Sequence, residues 1–138
     1  MNDQRGEIEN RERMRQLISF SGMRWSNITP TDVDGAIDYH GKATVFYEFK
    51  YESAKFKRGQ QLFLERQVED AINAGKKSVA IFVRHSVHDT EKDVPARECY
   101  VNSVYMGNVW RPDKKRRTVQ QFTDDFFEYV DKAENIGA

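Results

Sequence analysis

Three side chains in the first half of the chain have the types and spacing expected of a divalent-cation site. Asp34 stands beside Gly35 where one short apolar run begins, and the triplet Glu48-Phe49-Lys50 closes the next run. Carboxylate oxygens are the ligands that Mg²⁺ and Mn²⁺ prefer, and these ions keep positions for water and a phosphate oxygen. A neighbouring lysine can orient or deprotonate that water, or offset negative charge that grows on the phosphate. The residue types therefore suit metal-assisted chemistry on a phosphate ester.

The hairpin predicted for residues 33–51 decides whether these side chains meet. On a strand, residues two apart share a face, so Glu48 and Lys50 lie together. The opposite face carries aromatic and β-branched side chains, and we expect it to face the core. A two-residue turn between the strands would pair Asp34 with Tyr47 and send the aspartate to that core face.

A three-residue loop between the strands reverses this parity. With Tyr39–Gly41 as the loop the aspartate lies opposite Phe46, and with His40–Lys42 it lies opposite Glu48. Directly opposed Cβ atoms are about 4.5–5.5 Å apart and diagonal neighbours about 7–8 Å, and either spacing lets two carboxylates bind one cation. Because glycine adopts positive φ readily, Gly41 favours the three-residue loop. We therefore predict that the two carboxylates share a face.

The Glu-x-Lys triplet carries little weight alone, because a chain this rich in charge contains such triplets by chance. The segment Pro112-Asp113-Lys114-Lys115 has a similar pattern without an apolar strand around it, and we interpret it as a solvated turn. Glu48 and Lys50 differ because they lie on an aromatic strand, after an acid–glycine start and before a glutamine-bearing helix. From the residues alone, a metal site and an exposed, salt-bridged hairpin remain open as alternatives.

The remaining periodicities predict an α/β domain in which helices are layered on a mixed sheet. The continuous apolar run at residues 78–83 is typical of a central strand that is covered on both faces. Residues 98–110 predict one strand, or two strands broken near Gly107. We interpret residues 1–138 as one domain. Three helices are predicted, over residues 6–20 (stopping at Gly22), 57–75 and 118–134.

The second and third helices carry apolar stripes that indicate their buried faces. We expect Thr118 or Thr123 to cap the start of the third helix or a later turn. The stripe of the second helix consists of Leu64, Val68, Ala71 and Ile72. The stripe of the third helix consists of Val119, Phe122, Phe126 or Phe127, and Val130.

The composition excludes several classes of protein. The chain has 138 residues, with 22 Lys plus Arg against 22 Asp plus Glu, so the formal net charge is zero. Zero net charge argues against a protein that coats a polyanion by bulk charge alone. No apolar run approaches the roughly 18 residues of a spanning helix, and the first residues lack the apolar core of a secretory signal. The single cysteine, Cys99, allows neither an internal disulfide nor a cysteine metal cage, so we expect a cytoplasmic protein.

Histidines and clustered cations supply weaker candidates. His85 and His88 follow the apolar run, and we interpret them as a loop pair because no third metal ligand lies near them in sequence. Positive charge is concentrated at residues 55–58 and 114–117. The first of these segments directly follows the strand of Glu48, where a phosphate backbone would pass. The candidate DNA-binding residues are therefore Lys55, Lys57 and Arg58.

Residues 28–83 resemble the PD-(D/E)xK nuclease superfamily, in its small stand-alone form akin to Holliday-junction resolvases and virus-type replication-repair nucleases. The pattern consists of Asp34 before Gly35, Glu48-x-Lys50 on the following strand, and a glutamine after Gly59 on the next helix. The literal Pro-Asp pair of the motif is missing, because a threonine follows Pro30. The resemblance implies a restriction-endonuclease-like, three-layer core with a mixed central sheet flanked by helices.

The resemblance also implies roles for individual residues. Asp34 and Glu48 would hold Mg²⁺ or Mn²⁺, the Phe49 carbonyl would supply a further ligand, and Lys50 would be the catalytic lysine. The glutamine would be Gln60, with Gln61 as the alternative. A glutamate of the first helix is also usual in such enzymes, and Asp32 either has a metal role or caps the turn. The candidates for that glutamate are Glu7, Glu9 and Glu12.

The function expected from this resemblance is metal-dependent hydrolysis of DNA phosphodiester bonds, in the manner of an endonuclease. The expected substrate is double-stranded or branched DNA, and a homodimer would present two sites to two strands. A non-catalytic nucleic-acid-binding or assembly domain with the same fold is the alternative from another functional class. A metal-dependent enzyme that acts on something other than nucleic acid is a third reading.

Overall fold

The computed structural model describes residues 11–137. Contacts divide the chain into two units, Met1–Pro30 and Thr31–Ala138. The sheet and both long helices belong to the second unit. Across the described range, no helix is both long enough and apolar enough to cross a membrane.

The helix of the first unit ends earlier than the sequence predicts. The described part of helix α1 is Arg11–Met14, whereas the periodicity predicts a helix over residues 6–20. Residues 6–10 of that prediction lie outside the described range. Leu17 and Ile18 lie beyond the helix and are 92% and 79% exposed, so their predicted place on its apolar stripe is wrong. Helices gain most of their stability by packing an apolar face, and these two side chains remain in solvent.

The second unit forms a five-stranded mixed sheet in the order β1-β2-β3-β4-β5. Strands β2 and β3 are parallel, and the other neighbours are antiparallel. The predicted α/β class is therefore confirmed. The strands are β1 (Gly35–Tyr39), β2 (Ala43–Tyr51), β3 (Lys77–His85), β4 (Val101–Tyr105) and β5 (Trp110–Pro112), and the helices are α2 (Arg58–Asn73) and α3 (Val119–Gly137).

Helix α2 is the crossover that makes β2 and β3 parallel, since parallel neighbours need a long connection. The chain leaves this helix through Gly75, whose φ is 86°. All six residues of the run 78–83 are buried in β3, which lies between β2 and β4. The prediction of a central strand covered on both faces is confirmed.

The two long helices cover opposite faces of the sheet, because alternate residues of a strand point to opposite sides. Val45 and Ile81 pack with the buried side chains of α3, whereas Ala80 packs with those of α2 and Phe46 lies against the same cluster. Helix α3 buries Val119, Phe122, Phe126 and Val130, as predicted, with Phe127 only partly buried.

Thr118 caps the start of α3. Its amide N–H donates to Gln121 Oε1 (2.9 Å), and the amide N–H of Gln121 donates to Thr118 Oγ1 (3.1 Å). This reciprocal pair is a capping box, so Thr118 rather than Thr123 fills the predicted role. Thr123 lies within the helix, where its hydroxyl donates to the Val119 carbonyl at 2.8 Å.

Helix α2 buries only part of its predicted stripe. Leu64 and Val68 are buried, Ala71 is half-buried, and Ile72 is 40% exposed, so the inward prediction for Ile72 is wrong. A Cβ added to Gly107 would come within 2.8 Å of Ile72 Cδ1, so Ile72 lies against that turn. The φ of 104° at Gly107 marks the break between β4 and β5, which confirms the two-strand alternative.

The side chain of Asp113 is buried, although its sequence pattern predicts a solvated turn. Its side chain is 3% exposed and pairs with Arg117, whose Nη2 lies 2.9 Å from Asp113 Oδ1. The amide N–H of Arg117 also donates to Asp113 Oδ2 at 2.9 Å. The turn before α3 is therefore held by a buried ion pair, while Lys114 and Lys115 remain exposed as predicted.

Candidate active site

A three-residue loop connects β1 to β2. Tyr39 pairs with Ala43, which leaves His40–Lys42 between the strands. His40 and Gly41 both have positive φ, at 52° and 72°. The predicted odd-length loop is confirmed, in its His40–Lys42 form.

This register brings Asp34 to Glu48. Gly35 pairs with Tyr47, so the next position outward sets Asp34 opposite Glu48. The amide N–H of Phe49 donates to Asp34 Oδ2 at 2.8 Å, which fixes the exposed aspartate at the end of β1. The two predicted acids therefore lie on the same face of the hairpin, the face covered by α2 farther along the strand.

Glu48 is the most deeply buried charged group of the sheet face that α2 covers. It is 1% exposed, and Lys50 Nζ lies 3.4 Å from its Oε1. Its second oxygen, Oε2, is buried and accepts no hydrogen bond from any residue in the described part of the chain. An unpartnered carboxylate oxygen is costly to bury, so this atom marks a place for a group that the polypeptide itself does not supply.

The surroundings of Glu48 raise its pKa to about 7 from an ordinary value of 4.5. Burial contributes most, and the negative charge of Asp34 adds to it. Lys50 acts in the opposite direction, and the charge of Asp32 raises the pKa slightly further. A bound cation would favour the ionised carboxylate, because it would offset both the burial and the repulsion between the acids.

Gln60 carries a second unpartnered oxygen. It lies in the first turn of α2, one turn before Leu64, which is buried against the sheet. Its Oε1 is buried and has no hydrogen-bond partner within residues 11–137. Gln61 is half-buried and has no such orphaned atom, so the predicted glutamine position is better matched by Gln60.

The carbonyl of Phe49 lies on the side of β2 that faces Asp34. In an extended strand, the N–H and C=O of one residue point to the same neighbouring strand. The Phe49 N–H points to Asp34, beyond the first residue of β1, so its carbonyl oxygen also lies on that side. Strand β1 begins only at Gly35, so the Phe49 carbonyl lies beyond the part of β1 that pairs with β2.

The oxygen atoms of these residues are of the types that a hard divalent cation prefers as ligands. They comprise two carboxylates, an amide oxygen and a backbone carbonyl, all of them oxygen ligands. Within residues 11–137, no three His, Cys, Asp or Glu side chains group closely enough to hold a metal ion. Mg²⁺ needs only one or two protein carboxylates when water and phosphate complete its shell, so Asp34 and Glu48 suffice.

The predicted DNA-binding cations lie in the connection between β2 and α2. Lys55, Lys57 and Arg58 are exposed, and none has a carboxylate within 4.0 Å among the described residues. This connection follows Lys50 by a few residues and leads into the helix of Gln60. The three cations therefore flank the candidate site in sequence and in the fold.

The histidines form a separate cluster at the ends of β2 and β3. The Tyr51 hydroxyl contacts His88 Nδ1, and His88 Nε2 lies 3.4 Å from Glu52 Oε1. His85 Nδ1 accepts a hydrogen bond from the amide N–H of Val87. His88 lies in the loop after β3, as predicted, whereas His85 is the last residue of that strand. The sequence did not indicate these contacts.

The remaining acidic candidates have less defined positions. Glu7 and Glu9 lie outside the described residues, and Glu12 is an exposed residue of α1 in the first unit. Asp32 is exposed and close enough to Glu48 to influence its pKa. Sequence reasoning missed Arg84, which is paired in register with Lys50 and gave no local signal of its own.

The second basic segment, residues 114–117, lies away from these acids. Lys114, Lys115 and Arg117 line a cavity of about 740 Å³, together with apolar residues of β4, α3 and the β4–β5 turn such as Val104 and Phe122. Neither Glu48 nor Lys50 lines it. Comparison of the chain with protein-family models, with curated proteins and with solved structures finds no match.

Proposed function

We propose that this protein is a metal-dependent deoxyribonuclease that hydrolyses phosphodiester bonds with Mg²⁺ or Mn²⁺. The observation that supports it most is the buried carboxylate of Glu48, whose Oε1 lies 3.4 Å from Lys50 Nζ and whose Oε2 has no partner among the described residues. Gln60 Oε1, in the first turn of α2, is a second buried oxygen without a partner there. The resemblance of residues 28–83 to PD-(D/E)xK nucleases supports the same conclusion. Under this proposal the fold is restriction-endonuclease-like, and DNA is the partner.

Asp34 and Glu48 would hold the cation, with the Phe49 carbonyl and Gln60 completing the protein's oxygen donors. A divalent cation in such a site lowers the pKa of water and offsets charge on a phosphate. Asp34 is fixed by the Phe49 amide and Glu48 by burial, so both carboxylates are positioned before any ligand binds. Side chains that are already held in position lose little conformational entropy when they bind a cation.

Lys50 supplies the positive charge of the reaction. Its ammonium group lies 3.4 Å from Glu48 Oε1 and its side chain is 20% exposed, so it reaches solvent at the edge of the site. Hydrolysis adds a water oxygen to phosphorus and breaks one P–O ester bond, which yields a phosphate monoester and a hydroxyl group. Lys50 would orient the attacking water and stabilise the negative charge that develops on the phosphate oxygens.

Cleavage assays with supercoiled, linear, single-stranded and branched DNA test this proposal. Cleavage is expected with Mg²⁺ or Mn²⁺ and is expected to stop in EDTA. Lys50→Ala should reduce the rate about 100-fold or more, since it removes the group that acts on water. Lys92→Ala, at an exposed loop lysine, is the matched control and should cleave like the parent.

Two results would contradict the proposal: no cleavage of any of these DNAs, or equal rates for Lys50→Ala and the parent. DNA binding that survives EDTA without any cleavage would favour a non-catalytic nucleic-acid-binding domain of the same fold.

A further inference from the structure

Arg84 links the strand beside the candidate site to the connection between β2 and α2. It is the register partner of Lys50 in the parallel β2–β3 pair, so the two side chains emerge on the same face of the sheet. Its Nη1 donates to the carbonyl oxygens of Glu52 at 2.6 Å and Ala54 at 2.8 Å. One guanidinium nitrogen therefore holds two backbone carbonyls of the connecting segment.

An aromatic stack holds the far end of the same segment. Phe56 stacks on Phe82 with ring centroids 4.4 Å apart and planes inclined by 10°. Trp110 meets the edge of Phe56 at 5.4 Å. The Arg84 guanidinium lies 4.8 Å from the centroid of the Phe82 ring, so the arginine and Phe56 are both anchored on that ring.

The segment held in this way, residues 52–58, is termed the basic connection. It carries Lys55, Lys57 and Arg58, which have no carboxylate within 4.0 Å in the described part of the chain. Arg84 also has no such carboxylate there, and its known hydrogen bonds go to main-chain carbonyls. The Arg84 guanidinium therefore binds main-chain carbonyls of residues 52–54 and forms no ion pair with a described carboxylate.

We propose that Arg84 is a positioning residue, which holds the basic connection in the conformation that contacts the phosphate backbone of DNA. This inference rests on the proposed nuclease function. Without the two carbonyl contacts, residues 52–54 would keep only the hydrogen bonds of their amides, from Glu52 N–H to the His85 carbonyl and from Ala54 N–H to the Tyr51 carbonyl. The less restrained segment would have to be ordered again when DNA binds. A preformed segment avoids that loss, so the effect of Arg84 falls on substrate affinity.

The test compares Arg84→Met with Arg84→Lys. Lysine keeps the positive charge but lacks the planar fork of the guanidinium and its stacking on an aromatic ring. Both variants should bind duplex DNA about 5–20-fold more weakly and raise KM by a similar factor, with kcat at saturating DNA unchanged. Amide hydrogen exchange in residues 52–58 should become faster in both variants.

Arg111→Met is the matched control, because Arg111 is an exposed arginine of β5 outside the basic connection. It should leave both the KM and the exchange of residues 52–58 unchanged. Parent-like affinity in Arg84→Lys would overturn the proposal, since charge alone would then account for the effect. Unchanged hydrogen exchange in both Arg84 variants would overturn it as well.

These outcomes are distinct from failure of the proposed function. If the parent cleaves DNA and the Arg84 variants match it in KM, only the role of Arg84 is wrong. If the parent neither binds nor cleaves DNA with any metal, the nuclease proposal is wrong and the role of Arg84 in DNA binding is wrong with it.

Discussion

At the scale of a single residue, Glu48 lies in an environment that lowers the stability of the fold when its carboxyl group is ionised. Its side chain is almost fully buried, beside another acid, with one oxygen left unpartnered among the described residues. Burial and the charge of Asp34 both disfavour its ionised form. Under the proposed function, a bound cation would offset much of this cost.

The raised pKa of Glu48 predicts a stability that falls as pH increases. Well below pH 4.5, folded and unfolded chains both keep this carboxyl protonated. As pH rises toward 7, the unfolded state ionises while the folded state resists, so stability is lost across this window and stays lower above it. The difference in pKa corresponds to at most about 3 kcal/mol. Glu48→Gln cannot ionise and should escape this loss.

Urea unfolding at pH 4 and pH 8 in EDTA measures this effect. At pH 8, Glu48→Gln is expected to be more stable than the parent by about 1–3 kcal/mol, and most of this difference should be gone at pH 4. Added Mg²⁺ should stabilise the parent at pH 8 and have little effect on the variant. Parallel pH profiles for the two proteins would show that Glu48 is not the source of the pH dependence.

At the scale of helices and strands, short turns determine which side chains of neighbouring elements lie close together. The His40–Lys42 loop sets the parity that brings Asp34 to Glu48, and the turn at Gly107 lets Ile72 lie against the sheet edge. Both turns depend on positive φ at a glycine. Replacing such a glycine therefore strains an element without touching the acids.

Gly107→Ala is expected to destabilise the protein by roughly 1–3 kcal/mol, because alanine at φ 104° is strained and its Cβ meets Ile72 Cδ1 at 2.8 Å. Gly59→Ala is the matched control. Gly59 lies in the first turn of α2, and its added Cβ would meet no atom within 4 Å. This second change should be neutral or stabilising by up to about 1 kcal/mol. Thermal unfolding checks both, and a stability of Gly107→Ala equal to the parent's would contradict the described turn.

At the scale of the whole molecule, zero net charge conceals an uneven distribution. The basic connection and residues 114–117 each collect cations, although Lys plus Arg equals Asp plus Glu over the full chain. Arg117 is committed to Asp113 and Asp125, whereas the cations of the basic connection have no such partners in the described range. DNA binding should therefore depend on the basic connection and be sensitive to salt.

The logarithm of the DNA-binding constant should fall with the logarithm of salt concentration with a slope of about −2.7, as expected for three phosphate contacts on duplex DNA. Replacing both Lys55 and Lys57 by alanine should reduce the magnitude of that slope to about 0.9. Fluorescence anisotropy in EDTA, where DNA is not cut, measures it. Lys114→Ala combined with Lys115→Ala should leave the slope unchanged, and a large effect there would place the DNA on the other basic segment.

The sequence by itself determined the α/β class, the central strand and the buried face of α3, and it named the two acids that the hairpin brings together. These follow from periodicity and residue type, which are local properties of the chain. Its errors concern burial: Leu17 and Ile18 remain in solvent beyond the end of α1, and the Asp113 side chain is buried in an ion pair with Arg117, four residues along the chain.

Only the tertiary structure decided which three-residue loop joins the hairpin strands, the unpartnered oxygens of Glu48 and Gln60, and the contacts of Arg84. The Tyr39–Gly41 and His40–Lys42 loops give the same parity and are not separated by composition, whereas strand pairing selects the second. An orphaned oxygen is defined by every atom around it, and Arg84 reaches carbonyls about thirty positions away in sequence. The residue types therefore indicate which chemistry the candidate site could perform. Its geometry depends on the packing of segments that are distant in the chain.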